Sequence, residues 1–107
     1  MKNIADIRQE YTKSGLRESE LPCAPLSLFS RWLQEAIDAN VEEPTAIIVG
    51  TVSPEGRPST RTVLLKGLHD GKFIFYTNYE SRKGRQLAQN PYISLSFVWH
   101  ELERQVN

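Results

Sequence analysis

The 107-residue sequence holds a single cysteine, Cys23, and only two histidines, His69 and His100. One thiol excludes an internal disulfide, and so few soft ligands exclude a structural zinc site of the usual four-ligand kind. A reduced, cytoplasmic setting is the default expectation. Net charge is equally absent, because 13 Lys plus Arg offset 13 Asp plus Glu. No overall field therefore draws the chain to nucleic acid or to an anionic membrane. Long apolar runs are missing too. Ala46 to Gly50 and Val63 to Leu65 are far too short to span a bilayer, and Met1 to Asp6 carries no signal-peptide core. Internal repeats and low-complexity segments are also lacking.

What is present is ordinary globular composition, 39% hydrophobic and 24% charged, enough for one small domain. Asn3 to Ser14 reads as a helix, with Ile4, Ile7 and Tyr11 at helical spacing and Gly15 placed to end it. Its apolar stripe is thin, so residues 1–24 are expected to form a mobile helix and a connector. A second, stronger helix starts at Pro25. Leu26, Phe29, Trp32, Leu33, Ala36 and Ile37 make its apolar face, and Asn40 stops it.

Beyond Pro44 the pattern turns to strands. Ala46 to Val52 is β-branched and nearly all apolar, as a strand covered on both faces would be. Ser53-Pro54-Glu55-Gly56 is a turn. Pro58 to Leu68 is a second strand, and His69-Asp70-Gly71 turns it into a third, Lys72 to Thr77. Ser81 can cap a short helix, Arg82 to Gln89, which Asn90-Pro91 ends. Tyr92 to Trp99 is a fourth strand, with Ile93, Leu95, Phe97 and Trp99 on one face. Leu102 to Asn107 reads as a strand just beginning, so the chain is expected to be the N-terminal part of a longer protein with a sheet edge left exposed. The fold class is mainly β with helices: two helices, then a small antiparallel barrel or curled sheet over residues 25–107.

Chemistry concentrates at two places. On the second strand, alternation puts Arg61, Val63 and Leu65 on one face and Thr62, Leu64 and Lys66 on the other. A cation heads each face of an apolar strand, and each must reach solvent past the rim or meet an anion. Downstream, Phe75 to Lys83 runs strand, turn, helix, with Arg82 and Lys83 in the helix's first turn. The helix dipole disfavours cations there and favours an anion. Either a phosphate sits at this turn or the turn is a solvated basic one with Glu80 as counter-ion. Hairpin neighbours could bring Arg61 and the Arg82-Lys83 turn to one phosphate, with Val63 and Leu64 beside a flat ring. Such a site would suit FMN without a glycine-rich loop.

Five motifs in series resemble those of the pyridoxamine 5′-phosphate oxidase family: Arg8-x-Glu10-Tyr11, Arg61-x-Val63-Leu64-Leu65-Lys66, Phe75-Tyr76-Thr77-Asn78, Ser81-Arg82-Lys83 and Trp99-His100-x-Leu102-Glu103-Arg104-Gln105-Val106. The resemblance implies an FMN-binding split β-barrel, here incomplete at its C-terminus, working as a homodimer with the flavin at the interface. It implies that Arg61, Lys83 and Arg82 hold the FMN phosphate. Arg61, Thr62, Val63, Leu64, Leu65, Lys66, Tyr76, Thr77 and Gln105 would line the cofactor. Arg8, Gln9, Glu10 and Tyr11 would close over the substrate, and Lys66 would bind its phosphate.

The reaction so implied is oxidation of pyridoxamine or pyridoxine 5′-phosphate to pyridoxal 5′-phosphate, with O2 as acceptor. FMN carries the redox chemistry and the protein positions it. No catalytic general base is expected, and His69 and His100 read as structural or solvated. A different class of function stays open, a non-enzymatic FMN-binding split-barrel module. Such a carrier would not need Arg8 to Tyr11 or Lys66.

Overall fold

The computed structural model describes residues 3–7, 16–21, 24–77, 88 and 90–107. Helix α1, Pro25–Asp38, begins with Pro at its first position, where the missing N–H would have had no intrahelical partner. It ends in a Schellman motif. Asn40 adopts a left-handed φ of 57°, Asn40 N–H donates to Ile37 O, and Val41 N–H donates to Ala36 O. Val41 is then buried against the core, which is the apolar contact that usually accompanies this cap.

Only one α-helix stands before the strands among the described residues. Where the first helix was expected, a single 3-10 turn forms, Ile4–Asp6, capped by the Asn3 side chain accepting from Ala5 N–H. Ile7 leaves helical geometry at φ −87° and ψ 87°. The thin stripe explains this, because Ile4 and Ile7 stay 69% and 66% exposed with no surface to pack upon. Residues 8–15 of that expected helix lie outside the described residues. So, apart from Ala88, does the short helix expected over Arg82 to Gln89.

The strands are β1 Ala46–Val52, β2 Pro58–Leu64, β3 Gly67–His69, β4 Lys72–Ile74, β5 Ser94–Trp99 and β6 Arg104–Val106. β1 has the bounds the sequence predicts. Four strands form one antiparallel sheet in the order β2-β1-β5-β6, and β3 with β4 forms a separate hairpin. The described residues thus make an open sheet and a hairpin, with no closed barrel.

The first hairpin turn is locked by Ser53, whose backbone N–H donates to Arg57 O while its hydroxyl accepts from Arg57 N–H. The β3–β4 turn places Asp70 and Gly71 in succession at φ 50° and 72°, the twist that suits a two-residue hairpin.

The expected second strand, Pro58 to Leu68, is in fact two. Leu65 N–H donates to Thr45 O beside the large sheet, and the next amide, Lys66 N–H, donates to Ile74 O of the hairpin. Consecutive residues therefore serve two sheets, and the strand breaks between them. β4 and β5 are also shorter than expected, ending at Ile74 and starting at Ser94. The last segment does pair: a 3-10 turn, His100–Leu102, and Glu103 at φ 53° fold β6 back onto β5.

The core lies on one face of the sheet. Phe29 of α1 meets Phe73, Phe97 and Trp99 at centroid distances of 5.0, 4.9 and 6.1 Å. Ile47 and Val49 are buried beneath it, as are Phe97 and Trp99 of β5. The Trp99 Nε1–H donates to Pro44 O at 2.9 Å. The opposite face is open, which corrects the expectation that β1 is covered on both sides. Ile48 and Leu64 there are 43% and 41% exposed. A β-branched strand can carry apolar side chains on a face that the chain itself leaves bare.

Candidate functional site

β2 is an edge strand of the sheet, so one side of its backbone faces away from β1. Register settles how its side chains divide. Val63 lies opposite Ile47 and Arg61 opposite Val49, on the core side, while Thr62 lies opposite Ile48 on the open face. Val63 is half-buried and Leu65 buried, whereas Arg61 and Lys66 are both exposed. Neither cation pairs with a carboxylate among the described residues. Arg61 lies on β2 and Lys66 past its end, where the backbone turns to pair with Ile74.

Thr77 supplies the most specific polar atom of this region. Because Lys66 is bonded to Ile74, the chain from Phe75 to Thr77 continues from the same junction, and Tyr76 within it is exposed. Thr77 Oγ1 is buried and has no hydrogen-bond partner among the described residues. Native proteins seldom leave such a hydroxyl unpaired. Two unpaired cations, an edge-strand backbone and an orphaned hydroxyl together suit a planar ligand that carries a phosphate.

Gln105 lies elsewhere. β6 is at the far edge of the sheet from β2, three strand spacings or roughly 14 Å away. Its side chain is exposed, and its Nε2 donates to Asn107 Oδ1 at 3.1 Å. Ser96 Oγ donates to the same oxygen at 2.7 Å. Lys66 is thus tied to Ile74, two residues before Tyr76, and Gln105 stands on the opposite edge of the sheet from β2. The expected site residues Arg8, Gln9, Glu10, Tyr11, Arg82 and Lys83 lie outside the described residues. His69 and His100 are exposed. Among the described residues no cluster of His, Cys, Asp or Glu could hold a metal ion, and no helix is long and apolar enough to cross a membrane.

Sequence reasoning did not find the groups that hold Gln105's strand. Arg104 pairs with Glu35, 69 residues away, and its guanidinium carbon lies 4.5 Å from the Trp32 ring centroid. No local spacing signals a pair so distant in sequence.

A family model described as pyridoxamine 5′-phosphate oxidase matches residues 33–107. A pyridoxine/pyridoxamine 5′-phosphate oxidase of Bacteroides thetaiotaomicron is 98% identical over all of this chain and 50% of its own length. One from Shewanella frigidimarina is 53% identical over 99% of this chain and 50% of its own. The chain spans about half the length of the curated relatives it matches. Among solved structures, PhzG from Burkholderia lata, in complex with tetrahydrophenazine-1-carboxylic acid, superposes with a TM-score of 0.78 at 36% identity, over 81% of this chain and 43% of that one. A pyridoxamine 5′-phosphate oxidase-related, FMN binding protein of Nostoc punctiforme shares the fold, with a TM-score of 0.60 at 24% identity, over 71% of this chain and 40% of its own. This chain belongs to the pyridoxamine 5′-phosphate oxidase family.

Proposed function

We propose that this chain takes part in FMN-dependent oxidation of pyridoxamine or pyridoxine 5′-phosphate to pyridoxal 5′-phosphate, as a cytoplasmic homodimer. The observation that carries the reading is the edge strand β2 with exposed Arg61 at its middle, exposed Lys66 just past its end, and the orphaned Thr77 hydroxyl on the segment that follows the β3–β4 hairpin. Two separated cations match a reaction in which cofactor and substrate each bring a phosphate. Arg61, with Arg82 and Lys83, would hold the FMN phosphate, and Lys66 the substrate's. The strand from Thr62 to Leu65, with Tyr76 and Thr77, would line the flavin. Arg8, Gln9, Glu10 and Tyr11 would close over the substrate. When bound, FMN supplies the two-electron acceptor for the substrate's C4′ carbon, and dioxygen carries those electrons on to hydrogen peroxide.

The distance between Gln105 and residues 61–66 supports the dimer. In a symmetric pair the Gln105 of one copy can complete the flavin site of the other, and the bare face bearing Ile48 and Leu64 offers apolar surface for association. Titration of the purified chain with FMN, followed by quenching of flavin fluorescence, tests the reading. Arg61→Ala is expected to weaken FMN binding roughly 10- to 100-fold, the loss of one charged hydrogen bond. Lys66→Ala is expected to leave FMN binding within about threefold and to lower affinity for pyridoxal 5′-phosphate by the larger factor. Tight FMN binding with no affinity for pyridoxal 5′-phosphate would instead favour the flavin-binding module.

A further inference from the structure

β6 is a weak element by its own resources. It has three residues, occupies a sheet edge and follows Glu103, a non-glycine residue at φ 53°. So short a ladder is marginal, and a left-handed non-glycine residue costs about 1–2 kcal/mol. A slip of one residue would reverse every side chain. Gln105 would then turn towards α1, and Arg104 would turn to the open face.

What opposes the slip is Arg104. In the observed register it lies opposite Trp99, on the core side of the sheet. Its side chain is 15% exposed, ion-paired with Glu35 Oε2 and set over the Trp32 ring. A planar guanidinium can do both at once, whereas an ammonium cannot match the fork and the stacking together. Alternation then sends Gln105 to the opposite face, where its amide donates to Asn107 Oδ1, an oxygen that also accepts from Ser96 Oγ.

We propose that Arg104 is a positioning residue of the flavin site, fixing the register of β6 through Glu35 and Trp32 so that Gln105 is presented on the open face. The proposal rests on the FMN reading above and deepens it. Its test is a double-mutant cycle on FMN affinity in the full chain, with folding monitored by circular dichroism and the environment of bound flavin by its visible dichroism. Gln105→Ala should raise the Kd for FMN about 2- to 10-fold. Arg104→Met should raise it by a similar factor and change the dichroism of bound flavin. The double variant should bind no worse than Gln105→Ala alone. Glu35→Gln, which leaves Arg104 in place, repeats the cycle should Arg104→Met fail to fold. Multiplying effects in the double variant, or an unchanged Kd in Arg104→Met, would overturn the proposal while leaving the flavin reading intact. A wild-type chain that binds no FMN would overturn both.

Discussion

Replacing Thr77 by valine should move two measurements in opposite directions. The substitution keeps the β-branched shape and removes the hydroxyl whose oxygen is buried without a partner among the described residues. An unsatisfied buried polar group costs about 1–3 kcal/mol. Removing it should therefore stabilise the ligand-free chain by up to that amount. For a chain of this length about 1 kcal/mol corresponds to a rise of roughly 4–8 °C in Tm, which thermal unfolding followed by circular dichroism resolves easily. If the hydroxyl serves a bound flavin phosphate, its loss should weaken FMN binding by about 1.5–3 kcal/mol, roughly 10- to 100-fold in Kd. A bond to an uncharged ring atom would give about 0.5–1.5 kcal/mol instead. A lower Tm in the variant would refute the orphaned-hydroxyl argument, since it would mean that the hydroxyl is paired. An unchanged Kd would show that the atom does not face the cofactor.

The remaining expectations concern the scaffold. Phe29→Ala should cost about 3–5 kcal/mol, measured by urea denaturation, because the ring joins α1 to Phe73, Phe97 and Trp99. Trp99→Phe should cost about 1–3 kcal/mol, as the Pro44 carbonyl loses its indole donor. Gly50→Ala would place a methyl 2.5 Å from Ser94 Oγ and should destabilise by about 1–3 kcal/mol. In a Ser94→Ala background most of that loss should vanish, and persistence of the full loss would exclude the hydroxyl as its cause.

Much of the scaffold was legible in the sequence, for identifiable reasons. β1 and the Pro25 start of α1 were found because a β-branched run and a proline at a first helical turn act locally. The break at Leu65 and Lys66 was hidden. Alternation continues through it, and periodicity does not say which neighbour each amide will meet. The open face of β1 was missed for a related reason, since an apolar side chain records a preference and not its cover. Glu103 gave no turn signal, because glutamate is not a residue expected at positive φ. In the site, the cations Arg61 and Lys66 could be read from chemistry alone. The orphaned state of Thr77 and the link from Arg104 to Glu35 are properties of assembled space, invisible in any short window.

The aromatic cluster also imposes an order on synthesis. Phe29 emerges from the ribosome long before Phe97 and Trp99, yet those late residues cover it. Until β5 is made, the apolar side of α1 has no lasting place to dock, and at about 5–20 residues per second that interval lasts seconds. The nascent helix is thus a surface for chaperones to guard, and its docking waits on β5.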